Sequence, residues 1–487
     1  MRDWPSALKN AACALALGVC AAGPALAQTT TAADVVAAQL QELRAAIEAM
    51  RGELAASRKE SQDLRQQLDA VRAQVDALRR GPEPDRVSTL AQDLELVAAK
   101  VEDQEQTKVE SGSKYHVRLS GMVLFGVVSS HGYVDNLDLP FVASAKPAGE
   151  SGGAFAAGFR QSFVGVSVFG PTVGGAKASG TVSFDVFAGF PASTDGLSSG
   201  LGRLRTASFA LDWAKTSLVA SQDAPFFSPH TPTSISSVAY PALSSSGNIW
   251  AWTPQLHVEH RFAVSADSSL VAQAGILDPL TGELPASEYS RLPTAGERTG
   301  WPAEAVRVAW QRPSPRPMSV GGGAYHSAQN WGFNRTVDAW AATADWTLPL
   351  GARVTFTGEA YRGRAIAGLG AGASPSVLFD GSPASPFAEV LPLSSNGGWA
   401  QLTLTATPRV EFNAAFGQDH VFRAGLDAVA LSEGVVVSRN ASGFANAIYR
   451  PRSNLLFSLE YRQLWTTRFD GTKQTARHLS FVSGIIF

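Results

Sequence analysis

The sequence has almost no cysteine, little charge and no long apolar run beyond its first residues. Both cysteines, Cys13 and Cys20, lie within the first 27 of the 487 residues. A chain that loses this segment would have no disulfide and no cysteine metal site. Charged residues make up 17% of the chain, whereas about 25% is usual in soluble proteins. Without the ~18 consecutive apolar residues of a spanning helix, a membrane protein of this composition would have to be a β-barrel, and a large secreted β-protein is the alternative.

Residues 1–27 have the features of an export signal. Arg2 and Lys9 flank a short charged start, residues 11–22 are apolar, and Ala25-Leu26-Ala27 is a cleavage site of the small-x-small type. We expect the mature chain to begin at Gln28.

Residues 28–80 predict a periplasmic coiled coil. From Val36 to Leu78 the seam residues step by four and three through six heptads, and eleven of the thirteen seam positions are apolar, Ser57 and Ser61 being the exceptions. A strict 3.5-residue repeat requires partner helices, so we expect this segment to oligomerise. Gly81-Pro82-Glu83-Pro84 ends the helix, and residues 81–113 are interpreted as a linker with a short second helix.

Residues 114–487 alternate short apolar and polar runs that predict sixteen strands. Every second connection is short, and the others are mostly long and rich in Gly, Ser and Pro. Seven of the eight strands that run toward the short connections end on an aromatic residue, as at a membrane interface. The last segment, residues 476–487, has period two and would close the ring. The predicted fold is an all-β membrane protein, a 16-stranded antiparallel transmembrane β-barrel preceded by an α-helical coiled coil.

The same alternation separates an inner face from an outer face. The charged residues that it predicts to line the pore are Arg118, Lys177, Asp185, His257, Glu259, Arg261, Arg307, Arg353, Glu359, Glu411, Glu460 and Arg462. Each could instead form an ion pair that only braces the wall. The faces of Arg160, Arg203 and Arg205 are ambiguous. Arg362, Arg364 and Arg477 are predicted to face outward near the external ends, where anionic lipid headgroups could satisfy them.

Signals for chemistry are weak. Residues 196–200 match G-x-S-x-G, but they lie in an external loop without the strand-to-helix turn that this motif needs. His257 and His260 are three apart on a strand, so they face opposite ways and cannot share a metal ion. We therefore predict no catalytic residue, no metal, no cofactor and no nucleic-acid partner.

Taken together, the signal segment, coiled coil, helix-breaking linker and 16-stranded barrel resemble the DcaP-like porins. Short local similarities are Arg203-Leu204-Arg205-Thr206-Ala207, Ser221-Gln222 and Trp252-Thr253-Pro254-Gln255-Leu256, although the family has glycine where this chain has Ser221. The resemblance implies a homotrimer in the outer membrane of a Gram-negative-type bacterium, with uptake of small anions such as dicarboxylates. In porins the third external loop folds inward, which here would bring Asp223 and His230 to the constriction; the alternative is an ordinary surface loop.

The charge balance agrees with an anion channel. Residues 111–487 carry 27 basic and 25 acidic residues, and only five of the basic residues are lysine. Two other functions stay open: an outer-membrane anchor that tethers cell-wall material through the coiled coil, or a hydrolase that uses His478 or His116 on the lipid-facing rim. The expected partners are other copies of the chain, outer-membrane lipid and small anionic solutes.

Overall fold

A computed structural model describes residues 116–190, 200–283, 291–313, 316–422 and 436–487. The predicted signal segment, coiled coil and linker lie outside these residues. The strands are β1 (His116–His131), β2 (Tyr133–Val134), β3 (Ala143–Ser144), β4 (Gly153–Gly158), β5 (Phe163–Val173), β6 (Ala176–Asp185), β7 (Arg203–Asp212), β8 (Thr216–Asp223), β9 (Thr253–Ala263), β10 (Ser269–Leu277), β11 (Ala303–Arg312), β12 (Met318–Asn330), β13 (Thr336–Pro349), β14 (Val354–Arg364), β15 (Val377–Asp380), β16 (Glu389–Pro392), β17 (Ser394–Thr407), β18 (Val410–Val421), β19 (Val437–Arg452), β20 (Leu455–Arg468) and β21 (Lys473–Ile486). Two 3₁₀ turns span Glu297–Thr299 and Ala367–Leu369.

Seventeen of these segments form one closed antiparallel barrel of sixteen strands, because β4 and β5 together count as a single strand. Each strand pairs with its neighbour along the chain, and β1 pairs with β21 from Met122 opposite Ile486 to His131 opposite Arg477. The other edge of β1 pairs with β4 and β5. Closure leaves no open sheet edge. The predicted strand number, and the prediction that the last segment closes the ring, are confirmed.

Short and long connections lie at opposite ends of the barrel, as the sequence predicts. The short ones are residues 174–175, 213–215, 264–268, 313–317, 350–353, 408–409 and 453–454. The strands differ from the prediction in detail, because Phe159–Ser162 interrupts the second strand and the long connections contain the small hairpins β2–β3 and β15–β16.

Exposure alternates along the strands. On β9, Leu256 and Val258 are exposed whereas Gln255 and His257 are buried, and β11 and β20 show the same pattern. The outer surface is dominated by large apolar side chains, and the inner surface carries most of the buried polar residues. Among the described residues, no helix is both long and apolar enough to cross a membrane.

The seam between the first and last strands depends on a glycine. Backbone hydrogen bonds of 2.8 and 3.1 Å join Gly121 and Phe487. A Cβ atom at Gly121 would lie 2.5 Å from the carbonyl oxygen of Phe163 and 2.9 Å from Cζ of Phe487. On the same strand, a Cβ atom at Gly126 would have no neighbour closer than 3.9 Å.

We therefore expect Gly121→Val to destabilise barrel closure by about 1–3 kcal/mol, the usual cost of overpacking, and Gly126→Ala to have little effect. The measurement is the temperature at which the folded band disappears in a semi-native gel. An equal melting temperature for both variants would contradict this account of the seam.

Candidate functional site

The connection between β8 and β9, residues 224–252, lies inside the barrel and is called the internal loop below. Its first half contacts wall side chains in circular order around the barrel. The contacts are Phe226 N to Gln255 Oε1 at 3.0 Å, Ser228 Oγ and His230 N to the Glu359 carboxylate at 2.7 Å each, Thr233 N to Gln401 Oε1 at 2.7 Å, Ser234 Oγ to Glu460 Oε2 at 2.5 Å, Ser236 Oγ to Ser480 Oγ at 2.5 Å, and Ala239 N to Gln161 Oε1 at 2.7 Å. These partners lie on strands all around the ring, so the loop follows the inner wall.

The second half of the loop returns along the wall formed by β17, β18 and β19. Leu243 packs with Trp399, Ala415 and Phe444, and the Asn440 amide donates to the carbonyl oxygen of Ser245 at 2.7 Å. The loop then meets an external connection, where the backbone N–H groups of residues 250 and 251 donate to the Leu369 carbonyl oxygen at 3.2 and 3.1 Å.

Small residues allow the loop backbone to lie against the wall. A Cβ atom at Gly417 would lie 2.1 Å from the carbonyl oxygen of Ser246, and one at Gly323 would lie 2.9 Å from Cβ of Phe227. Side chains at these wall positions would push the loop toward the barrel axis. The serines of the loop then act as short donors to the wall.

An apolar cluster fills the interior beside β10 to β14. Three apolar residues of the loop pack against the wall and against an external connection. The loop residues are Phe226, Phe227 and Ile249; the wall residues are Leu277, Ala303, Ala305, Tyr325, Ala341 and Tyr361; those of the external connection are Ile366, Leu369 and Ala371. The rings of Phe227 and Tyr325 stack with centroids 5.5 Å apart. This part of the interior is packed rather than water-filled.

Polar wall residues form a connected chain from β8 to β13. Arg307 makes two hydrogen bonds to Asp345, of 2.9 and 2.7 Å, and a third to Gln273 of 3.0 Å. Gln273 donates to Glu259 at 3.0 Å, and Glu259 pairs with Arg261 at 2.8 Å. The Arg307–Asp345 pair is bidentate, which is the strongest ion-pair geometry.

A second polar chain runs across β17 to β20. Asn413 accepts from Gln401 at 3.1 Å and donates to Asn446 at 3.0 Å, and Asn446 donates to Glu460 at 3.2 Å. Glu460 also pairs with Arg462 at 2.8 Å. Because Glu460 accepts from loop Ser234 as well, this chain holds the loop on the side opposite β9.

An arginine cluster faces the loop on β7. Arg203 forms hydrogen bonds of 2.8 and 3.0 Å with Asp185 and one of 2.6 Å with the Tyr240 hydroxyl. Arg205 donates to the Val238 carbonyl oxygen at 2.8 Å, and its guanidinium lies 4.6 Å from the Phe163 ring centroid and 5.4 Å from that of Trp252. No described carboxylate forms an ion pair with Arg205, and its Nε has no hydrogen-bond partner among the described residues.

A β-bulge on β7 explains why alternation in the sequence did not assign Arg203 and Arg205 to the inner or the outer face. Ser183 on β6 lies opposite Thr206, but the next residue, Phe184, lies opposite Leu204. The extra residue is Arg205, so the regular alternation breaks there and Arg203, Arg205 and Thr206 all contact interior groups. A bulge re-aims a side chain in this way. The sequence signal that could have indicated this cluster is a pair of arginines flanking one apolar residue, upstream of Trp252.

The residues predicted to line the pore fall into two groups. Six are buried and contact other interior groups: Asp185, His257, Arg307, Glu359, Glu460 and Arg462. His257 stacks on loop Phe226 with ring centroids 4.6 Å apart. Six are partly or fully exposed: Arg118, Lys177, Glu259, Arg261, Arg353 and Glu411.

Of the two residues predicted at the constriction, only His230 belongs to the loop. Its Nε2 lies 3.4 Å from Asp345 Oδ1. Asp223 is the exposed last residue of β8, and its carboxylate accepts from the neighbouring Ala224 N–H at 2.8 Å.

The described residues offer no metal site, and one of the two histidines considered for a hydrolase lies inside the barrel. The described residues contain no group of three or more His, Cys, Asp or Glu side chains that could hold a metal ion. Of the two residues considered for a lipid-facing hydrolase, His478 is buried inside, with its Nε2 3.1 Å from the carbonyl oxygen of Leu137, and His116 is exposed at the start of β1.

We expect Glu359→Ala to loosen the internal loop, because Ser228 Oγ and the His230 N–H would lose their acceptor at a cost of about 1–3 kcal/mol per buried group. The expected result is a higher single-channel conductance with more current noise. Glu304→Ala, on the outer face of β11, is the matched control. Unchanged conductance and noise in Glu359→Ala would show that this contact does not hold the loop.

Comparisons with known proteins were made by sequence and by structure. No protein-family model matches the sequence, and no curated protein sequence matches it. Among solved structures, the anion-selective porin from Comamonas acidovorans matches with a TM-score of 0.48 at 10% identity, over 77% of this chain and 100% of that chain. OprB of Pseudomonas putida matches with a TM-score of 0.47 at 10% identity, over 80% of this chain and 97% of that chain.

The outer membrane channel DcaP of Acinetobacter baumannii matches with a TM-score of 0.58 at 14% identity, over 78% of this chain and 100% of that chain. A likeness at this identity establishes the fold. The predicted resemblance to the DcaP-like porins is therefore confirmed at the level of the barrel architecture.

Proposed function

We propose that this protein is an outer-membrane porin, a water-filled channel through which small hydrophilic solutes diffuse, with a mild preference for anions such as dicarboxylates. The observation that carries the proposal is the internal loop, which is tied to wall side chains around the ring and so narrows the barrel along its wall. A barrel that served only as an anchor would not need such a loop.

The distribution of unpaired charge supports the preference for anions. Inside the barrel, Asp185, Asp345 and Glu460 each pair with an arginine. Arg118 and Arg353 are exposed and, like Arg205, form no ion pair with a described residue. The exposed carboxylate of Asp223 opposes them only in part. An accessible surface with excess arginine attracts anions, and planar guanidinium groups can hold carboxylates through two hydrogen bonds.

We infer that the solute path runs near the arginine cluster. The apolar cluster around Phe227 occupies the side of β10 to β14, which supports a route on the side of β5 to β8. There Arg205 presents an unpaired guanidinium beside Trp252. A dicarboxylate that passes this point would exchange water for guanidinium donors.

The zero-current potential under a salt gradient tests the selectivity. We expect the anion-selective sign for the wild type and a shift toward zero for Arg205→Ala, by an amount that fades as salt screens charge over ~10 Å at 0.1 M. Arg477→Ala, which removes an equal charge from the outer face, should leave the potential unchanged. A cation-selective wild type would refute the preference, and negligible conductance would favour the anchor.

Block of the current by succinate tests whether Arg205 acts through its charge alone or also through the geometry of its guanidinium group. We expect succinate to block wild-type current transiently, and Arg205→Lys to keep the anion-selective sign while the block shortens, because an ammonium group cannot bind a carboxylate in two-point fashion. Equal block times in the wild type and Arg205→Lys would argue against carboxylate binding by this guanidinium.

The proposed assembly is a homotrimer with its coiled coil in the periplasm, where the coil could also contact cell-wall material. The heptad seam in residues 36–78 supports it. We expect cross-linking in mild detergent to show a trimer, and deletion of residues 34–80 to lower the trimer's melting temperature without changing conductance per barrel. A monomer at every protein concentration would contradict the trimer.

A further inference from the structure

A row of basic and polar side chains crosses the outer face of the barrel at the ends of the strands near the long connections. Arg362 on β14 lies opposite Asn396 on β17, Asn396 opposite His420 on β18, and His420 opposite Arg439 on β19. The row continues through Thr467 to Lys473 on β21. Neighbouring strands are ~4.8 Å apart, so the backbones at Arg362 and Arg439 are separated by about 14 Å.

Among the described residues, two uncharged contacts hold the arginines in place. The Arg362 guanidinium lies 3.8 Å from the centroid of the Phe422 ring, and Arg439 Nε donates to Gln418 Oε1 on the neighbouring strand at 2.8 Å. Neither forms an ion pair within the described part of the chain, and both are exposed. Stacking and the amide contact fix the two groups while their remaining N–H donors stay available.

Two features argue against a row that is merely hydrated. Both guanidinium groups lack a carboxylate partner within the described residues, so part of their hydrogen-bonding capacity is open to an anion. Directly below the row, toward the short turns, the outer surface is strongly apolar. The exposed side chains there are Leu402, Phe412, Phe416 and Trp465. A ligand that matches both parts has anionic groups above and hydrocarbon below.

We propose that this outer face binds a phosphorylated lipid of the outer leaflet, with its phosphate groups on Arg362 and Arg439 and its acyl chains on the apolar surface beneath. Phosphate oxygens accept the guanidinium donors in charge-assisted hydrogen bonds. Free phosphate would gain nothing from the apolar surface, which is why the site selects a lipid. The inference rests on the proposed location of the barrel in an outer membrane, but not on its transport activity.

The test is a titration of the full-length protein, purified in mild detergent, with diphosphoryl lipid A followed by native mass spectrometry. We expect the double variant Arg362→Gln/Arg439→Gln to bind about tenfold more weakly or worse, as loss of two charge-assisted contacts implies. The matched control, Arg118→Gln/Arg353→Gln, removes two arginines near the short-turn end and should bind as the wild type does. Replacing both row arginines by lysine should keep part of the affinity.

Two further measurements distinguish a lipid site from a simple phosphate site and from a failure of the proposed channel. Inorganic phosphate at the same concentration should not displace the lipid; if it does, the site is a phosphate site without a lipid component and the proposal fails. Equal lipid affinity in the wild type and the Gln double variant would also overturn it. Conductance recorded on the wild type and the Arg362→Gln/Arg439→Gln variant separates the two proposals, because a failed channel would show no current in either, whereas a failed lipid site would leave normal current and unchanged lipid affinity.

Discussion

The rest of the structure depends on how irregular backbone is satisfied inside a closed barrel. Residues 224–252 have no strand partner, so their N–H and C=O groups need acceptors and donors from the wall. The carboxylate of Glu359 and the amides of Gln401 and Gln161 supply these acceptors from three separate parts of the ring. The polar interior is therefore organised first around the loop and only then around a solute.

This requirement divides the charges of the interior into two sets. Arg307, Asp345 and Arg462 are buried in short ion pairs, and their replacement would leave a partner charge unpaired inside the wall. Arg205 belongs to a different set, because it is the bulged residue of β7 and forms no ion pair with a described carboxylate, although Asp185 and Asp223 act on it electrostatically. In the proposed channel, permeating ions would respond mainly to the second set, since paired and buried charges contribute little field in the water path.

The fold could be predicted from the sequence because lipid on one side and polar groups on the other force a period of two, and because the two ends of the barrel differ in loop length. The candidate site was harder to predict from the sequence. Alternation placed Glu359 and Glu460 on the inner face, but which of these residues touch the loop depends on pairs separated by more than one hundred positions, such as Ser234 with Glu460. A single bulged residue, Arg205, also breaks the alternation of inner and outer side chains on which the prediction relies.

The outer arginines show what strand register adds to a periodic pattern. The sequence assigns Arg362 to the outer face, yet Arg439 is 77 positions away and only the pairing through Asn396 and His420 places the two in one row. A lone arginine at a membrane interface is readily hydrated, whereas two guanidinium groups held on strands about 14 Å apart above an apolar surface favour a ligand that carries both phosphate and hydrocarbon. In the two proposals, both faces of the barrel use arginine for anions. Inside, the bulge would present one guanidinium to a passing solute; outside, the register would place two in one row for a resident lipid.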